Sequence, residues 1–348
     1  MDPERQHWRI VGPSLPVLDL APMFGGDIAQ DLSRRDFTIN AMAAMLPNRR
    51  PVLDPFRGRA DLRHGLIRQV SSQSMAADPI RVLRGLRLAS EHGFVIERKT
   101  LQSMCRAAQA LGTTKPERIR AELLRGLQAA GWRRMASDAL RLGVWAGLPV
   151  RPRLDPCSAR LAAYLNSLEN LEALAAAATS HLGGIPGLSQ QRARAVAVLA
   201  AVLRASDLTT SGTHLGRRLR LSAREGAALA GMEASALAVP DLDAADLGQV
   251  YRLVEEHGPA AAWGAAINGA RPVLEAMLRL RLSEAARLPD GRELAAALAR
   301  TPGPWLGALL RRLRYQVATG KIAPSQALQV AADWLRDSAM GSDRSDGG

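Results

Sequence analysis

Asp78 and Arg81 stand three residues apart in Asp78-Pro79-Ile80-Arg81, and Arg84 and Arg87 continue the spacing. On a helix, residues three and four apart are neighbours, so this spacing makes a ridge of guanidiniums beside one carboxylate. Such a pair can read a base edge. Cytosine and adenine each show an exocyclic amino donor beside a ring-nitrogen acceptor; a carboxylate accepts from the first and a guanidinium donates to the second. Guanine and uracil present the mismatched pattern. A structural account serves Asp78 as an N-cap and Pro79 in the first turn, but it leaves the arginines unexplained. Apolar Ile80, Val82, Leu83, Leu86 and Leu88 occupy much of the rest of the helix.

Upstream, Arg34-Arg35-Asp36-Phe37-Thr38-Ile39-Asn40-Ala41 sits where a loop enters an expected helix. Asp36 as a cap with Phe37 and Ile39 as core is one reading. In the other, Asp36 accepts from a ribose hydroxyl, Arg35 meets phosphate or base, and Asn40 completes the network; a 2′-hydroxyl is a donor that deoxyribose lacks. Between these segments, Asp54-Pro55-Phe56-Arg57-Gly58-Arg59-Ala60-Asp61-Leu62 dictates a turn. Thr114-x-x-Glu117 has the form of a capping box with Pro116 in the first turn.

In this order and spacing the segments resemble the tRNA nucleotidyltransferase and bacterial poly(A) polymerase family. The likeness is specific for Leu18 to Leu127 and fair for Leu294 to Leu335. It implies that Asp78 and Arg81, with Arg84 beside them, select CTP and ATP without a nucleic-acid template, and that Arg35, Asp36 and Asn40 bind the nucleotide. It also implies that Asp54 to Leu62 is a hinge and that the charged residues of Glu117 to Leu124 brace the Asp78 helix. One departure is Ala77, where the family has Glu. Asp19, on the strand before the Arg-Arg-Asp motif, aligns with a catalytic carboxylate that binds Mg²⁺; two such ions would activate the 3′-hydroxyl and steady the leaving pyrophosphate. Pro302 to Leu310 and Gly320-Lys321-Ile322 resemble the closing segment that holds the tRNA elbow, where Arg311, Arg312 and Arg314 would meet phosphate.

The elements that must position these residues are short strands and then many helices. Trp8 to Val11 and Pro16 to Ala21 read as a hairpin turning at Gly12-Pro13-Ser14, Asp36 to Leu46 as a helix stopped by Pro47, and Val52-Leu53 as a further strand. From Asp78 onward the pattern is helical, with breaks at Gly112-Thr113, Gly147-Leu148-Pro149, Gly183 to Pro186, Pro240, Pro289 to Gly291 and Pro302 to Pro304. The expected class is α+β, a small truncated nucleotidyltransferase-type head followed by an all-helical neck, body and tail. The expected division is 1–60 head remnant, 61–150 neck, 151–340 RNA-binding body and tail, and 341–348 disordered.

The 348 residues carry a net charge of +13, nearly all of it Arg, with Lys at 99, 115 and 321 alone. That balance suits a polyanion, although a compositional bias toward Arg and Ala would produce it too. Cys105 and Cys157 form no CxxC pair and the six His no metal-spaced set, which excludes a disulfide framework or a zinc site of that kind and fits a cytoplasmic location. No apolar run is long enough to span a bilayer, so no membrane partner is expected. Asp241-x-Asp243 precedes a helical stretch and reads as capping.

The resemblance implies addition of C, A or both to the tRNA 3′ end, with tRNA, ATP and CTP as partners and Mg²⁺ as cofactor. The family's Gly-Gly-x-Val-Arg-Asp turn and its upstream Asp-x-Asp metal pair do not occur here, so the chain as given is expected to be catalytically incomplete. Three readings stand: an enzyme whose natural start lies upstream, half of a split enzyme whose separate polypeptide supplies the metal site, or a non-catalytic RNA-binding relic. The first is preferred, because Asp36 and the Asp78/Arg81 pair are retained and because lost strands would leave an unpaired sheet edge.

Overall fold

Stretches of period-two alternation are brief in this sequence, and the strands are correspondingly few. The computed structural model describes residues 8–12, 15–46, 52–149, 159–206 and 212–342. Pro13 and Ser14 of the expected turn lie outside them. The chain divides into two compact units, Met1–Cys157 with Arg218–Arg220, and Ser158–Arg217 with Leu221–Gly348.

In the first unit β1 (Trp8–Gly12) pairs antiparallel with β2 (Leu15–Leu20), Arg9 opposite Asp19 and Ile10 opposite Leu18. A tight turn at Phe24–Gly26 leads into α1 (Ile28–Ser33), capped by Asp27, whose carboxylate accepts from the Ala29 amide at 3.1 Å.

The helix expected over Asp36 to Leu46 does not form. Thr38–Asn40 make one 3₁₀ turn, and β3 (Ala43–Ala44) then pairs antiparallel with β4 (Val52–Leu53). The reason is a tertiary competitor for the main chain. Phe37 is extended and bridges Gln69, the Thr38 amide donates to the Arg68 carbonyl at 2.9 Å, and the Val70 amide donates to the Asp36 carbonyl at 3.2 Å. These groups are thus satisfied by a neighbouring segment rather than by a helical turn. Burial of the Phe37 ring holds the arrangement, and Gly85 leaves it room: a Cβ there would lie 2.8 Å from Phe37 Cζ.

α2 (Gly58–Arg63) starts where Asp54 accepts from the Gly58 and Arg59 amides at 2.6 and 3.0 Å. β5 (Leu66–Ile67), α3 (Ser74–Ala77), α4 (Ile80–His92), β6 (Val95–Ile96), α5 (Arg98–Ala108), α6 (Pro116–Gln128) and α7 (Trp132–Arg141) complete the unit. β6 corrects the expectation of no strand after Asp78: it pairs parallel with β5, but two residues give no readable alternation. Asp78 and Thr114 are not side-chain caps. α4 follows Pro79 directly and α6 follows Lys115, neither with a side-chain cap, and the Asp78 carboxylate is engaged elsewhere. α4 is the hub, packed on α3, α5, α6 and α7, with Ile80, Leu83 and Leu86 turned into a core shared with Met104, Ile119, Leu123 and Met135.

The second unit is helical: α8 (Ala159–His181), α9 (Gln190–Ala205), α10 (Gly212–Arg218), α11 (Ala223–Ala238), α12 (Leu247–His257), α13 (Ala260–Ile267), α14 (Arg271–Arg279), α15 (Leu282–Ala285), α16 (Gly291–Ala297), α17 (Pro304–Ala318) and α18 (Ala327–Ser342). α13 is buried along its whole length against α8, α9, α11 and α14, as its apolar composition on every face requires. Capping boxes at Ser222/Glu225 and Asp290/Glu293 start α11 and α16. The Asp241-x-Asp243 segment is a turn, and Asp246 is the residue that caps α12. Of the tail expected from 341, Gly341 and Ser342 belong to α18, and 343–348 lie outside the described residues.

The start of α2 is a sharp test of this packing, because a Cβ at Gly58 would run into the Thr38 carbonyl, a main-chain group that cannot rotate aside. Gly58→Ala should cost roughly 1–3 kcal/mol, the usual range for overpacking. Urea unfolding followed by circular dichroism checks this, and an unchanged midpoint would remove the constraint.

Candidate functional site

Asp36 is 6% exposed, and its carboxylate accepts three hydrogen bonds: from the Phe37 amide (2.8 Å) and Asn40 Nδ2 (3.1 Å) on Oδ1, and from Arg84 Nη1 (3.0 Å) on Oδ2. The 3₁₀ turn that replaces the expected helix is what brings Asn40 back onto Asp36. Arg84 also donates through Nε to Glu122 on α6 at 3.1 Å. Burial alone would lower the Arg84 pKa, but the Asp36 and Glu122 carboxylates outweigh it and raise it.

The network continues along α4. Glu122 also accepts from Arg87 Nε at 2.7 Å, and Arg87 donates through Nη1 to Glu91 at 2.6 Å. Glu91 pairs in turn with Arg125 at 3.4 Å. Exposure rises along this path, from Arg87 at 8% to Arg125 at 69%.

Arg81 and Asp78 are both engaged. The Arg81 guanidinium donates to the Arg34 carbonyl through Nη2, and through Nη1 to the Arg35 carbonyl (3.2 Å), the Ser74 carbonyl (3.2 Å) and Ser74 Oγ (2.7 Å). Burial pulls its pKa down, against the attraction of Asp36 and Asp78. Asp78 forms a two-pronged pair with Arg118 of α6, at 3.2 and 2.7 Å. The expected neighbourhood of Asp78 and Arg81 therefore exists, but each side chain is held by groups from another segment. Arg35 pairs with Asp31 at 2.7 Å, and Asp31 also accepts from the Phe24 amide at 3.2 Å. Hydrogen bonding from Arg35 holds the Asp31 carboxyl below the usual range.

These residues line one cleft of about 1030 Å³, within the first unit. Arg35, Asp36, Asn40, Asp78, Arg81 and Arg84 all face it, as do Arg34, Arg87, Glu122 and Arg125. Asp19 is not among its lining residues; it lies exposed on β2, in register with Arg9. Arg311, Arg312 and Arg314 are exposed on α17 of the second unit, with the Arg312 guanidinium stacked 3.8 Å from the centre of the Trp334 ring. Among the described residues no cluster of three or more His, Cys, Asp or Glu could hold a metal ion, and no helix is long and apolar enough to cross a membrane. Sequence reasoning missed Asp31, Ser74 and Phe24. Asp31 had a signal, its i,i+4 spacing to Arg35, whereas Ser74 had none.

Residues 16–68 match the family model described as the Poly A polymerase head domain, and residues 93–151 match the one described as the probable RNA and SrmB-binding site of polymerase A. A CC-adding tRNA nucleotidyltransferase of Geobacter sulfurreducens is 44% identical over 131 residues, which span 36% of this chain and 30% of that protein. A CCA-adding enzyme of Levilactobacillus brevis is 28% identical over 316 residues, spanning 89% of this chain and 73% of that protein. The solved structure of the Thermotoga maritima CCA-adding enzyme complexed with tRNA_CCA shares the fold, with a TM-score of 0.76 at 21% identity over 96% of this chain and 80% of that one. The chain is similar to the tRNA nucleotidyltransferase and poly(A) polymerase family in its fold and in these two matched segments. The two family models cover the segments that supply Asp36 and Glu122, on either side of α4.

Glu122 should matter more to the fold than its single charge suggests. Glu122→Ala leaves Arg87 with Glu91 as its one remaining carboxylate and releases Arg84 Nε; removing one partner of a buried pair costs about 3 kcal/mol. Arg125→Ala, at the exposed end, should cost under about 1 kcal/mol. Denaturant unfolding of the two variants checks the contrast, and equal losses would refute it.

Proposed function

We propose that the protein binds CTP and ATP in this cleft and transfers cytidylate, adenylate or both to the 3′ end of tRNA, releasing pyrophosphate. The observation that carries this reading is the gathering of Asp36, Asn40, Arg84, Asp78 and Arg81 on one cleft in a chain similar to this family. The names of the Geobacter and Levilactobacillus relatives, one CC-adding and one CCA-adding, support the reaction class.

Each group keeps capacity for a substrate. A carboxylate offers about four acceptor positions. Asp36 uses three, and in this proposal the fourth accepts from a ribose hydroxyl. Asp78 gives one position on each oxygen to Arg118 and keeps the other two for an exocyclic amino group. Arg81 is oriented by the main-chain carbonyls, and its Nε–H is proposed as the donor to a ring nitrogen. The exposed Arg35 would meet phosphate, and Arg311, Arg312 and Arg314 would contact the tRNA backbone. The expected division into head, neck, and RNA-binding body and tail belongs to the same proposal, as does a cytoplasmic location.

Mg²⁺ enters as the family's cofactor, which would activate the attacking hydroxyl and stabilise the leaving pyrophosphate when bound. The described residues do not fit such a site: among them no group of three or more His, Cys, Asp or Glu could hold a metal ion, and Asp19, the ligand that the resemblance implies, is not among the cleft-lining residues. A separate metal-carrying polypeptide finds no support in the relatives and is not part of the proposal.

Equilibrium binding of the four ribonucleoside triphosphates tests the base-reading role. CTP and ATP should bind more tightly than UTP and GTP, and Arg81→Ala should erase the preference; equal binding of all four by the unaltered chain would overturn it. For the RNA, log affinity for tRNA should fall linearly with log salt, by roughly 0.7–0.9 per phosphate neutralised. Salt-independent binding would remove the phosphate contacts.

A further inference from the structure

The cleft wall is mostly polar and charged, with Leu88 an isolated apolar member and one apolar stretch of chain. Ala21, Pro22, Met23 and Phe24 form an apolar lip, and Phe24 is 52% exposed. Here the guanidinium of Arg34 lies over the ring, 3.6 Å from its centre. The other cleft-lining ring, His92, already packs against Phe94 with centres 5.5 Å apart.

Phe24 is mounted rather than loose. Its amide donates to Asp31, the carboxylate that also holds Arg35. Gly25 and Gly26 follow at φ of +75° and +71°, a left-handed path that favours glycine, and Asp27 then caps α1. Arg34 is fixed from the other side, because its carbonyl accepts from Arg81 Nη2. The ring, the guanidinium above it and the proposed base-reading arginine are thus joined through a short run of bonds.

We propose that Phe24, backed by Arg34, is a stacking platform for a nucleobase in the cleft. The inference rests on the nucleotide-binding reading above and adds a contact that neither the motifs nor the family resemblance supplied. A planar base has a π-face whatever its edge pattern, so the platform would add affinity without selecting among bases, leaving selection to Asp78 and Arg81. The guanidinium on the rear face completes a cation, ring and base sandwich. The base could belong to the incoming nucleotide or to the 3′ terminus of the RNA; the chemistry is the same.

The test uses the full 348-residue chain and its Phe24→Ala, Phe24→Leu and Phe24→Tyr variants, with thermal unfolding as a check on folding. Binding is measured for CTP, for ATP, for base-less ribose 5′-triphosphate, and for a tRNA transcript lacking its terminal CCA. Loss of the ring should weaken binding of the stacked partner by about fivefold to a hundredfold. Phe24→Leu should fail like alanine, Phe24→Tyr should retain affinity, and the base-less compound should bind all variants equally. A loss confined to CTP and ATP assigns the platform to the incoming nucleotide, and a loss confined to the transcript assigns it to the RNA end. Equal binding of every ligand to the wild-type and Phe24→Ala chains would overturn the platform and leave the nucleotide reading standing. Absence of any nucleotide or RNA binding by the wild-type chain would overturn both. Equal weakening by Phe24→Tyr would show that the ring serves loop packing instead.

Discussion

The bond on which the cleft depends is the one between Arg84 and the buried Asp36. Asp36 lies on a segment with almost no regular structure, and α4 is the most densely packed helix of its unit. Left alone, the segment from Asp36 to Ala41 has the composition of a helix start. It is held open by main-chain bonds to Arg68 and Val70, by the buried Phe37 ring and by the guanidinium that reaches down from α4. A charged group this buried is tolerable only when it is well hydrogen-bonded, and three donors engage three of its roughly four acceptor positions. The arrangement converts an irregular loop into a fixed acceptor.

α4 works because its two halves answer to different demands. Ile80, Leu83 and Leu86 commit one face to the core, which fixes the helix's rotation about its axis. With that rotation set, Arg81, Arg84 and Arg87 must point along one line, and each meets a different kind of partner: carbonyls, two carboxylates from separate segments, and two carboxylates from helices. α6 supplies Arg118 to the start of this line and Glu122 to its middle. The spacing of four between those residues matches the helical repeat that presents both to the same neighbour.

Much of this was legible in the sequence. The Asp78 to Arg87 ridge follows from helical spacing, the strand-poor start and helical remainder from apolar periodicity, and the helix breaks from Pro and Gly. What was not legible is what depends on distant partners. Nothing local in Asp36 to Leu46 announces that Arg68 and Val70 will take its main-chain groups, so the segment read as a helix. The caps expected of Asp78 and Thr114 failed because Asp78 finds a guanidinium on α6 and because α6 begins one residue later than the box requires. Ser74, which orients Arg81, carries no pattern at all, since a hydroxyl in a four-residue helix is unremarkable until the fold sets it beside a guanidinium.

The alternating line of charge from Asp36 through Arg84, Glu122, Arg87 and Glu91 to Arg125 has a thermal consequence. Ion hydration becomes less favourable on warming, so the penalty for keeping such groups out of water shrinks, while stabilisation by apolar burial levels off. A site held by one isolated surface pair would loosen with the rest of the molecule. Here the geometry of the cleft rests on the contribution that holds up best as the temperature rises, so the acceptor at Asp36 should keep its shape at temperatures where the apolar margins of the unit have begun to fray.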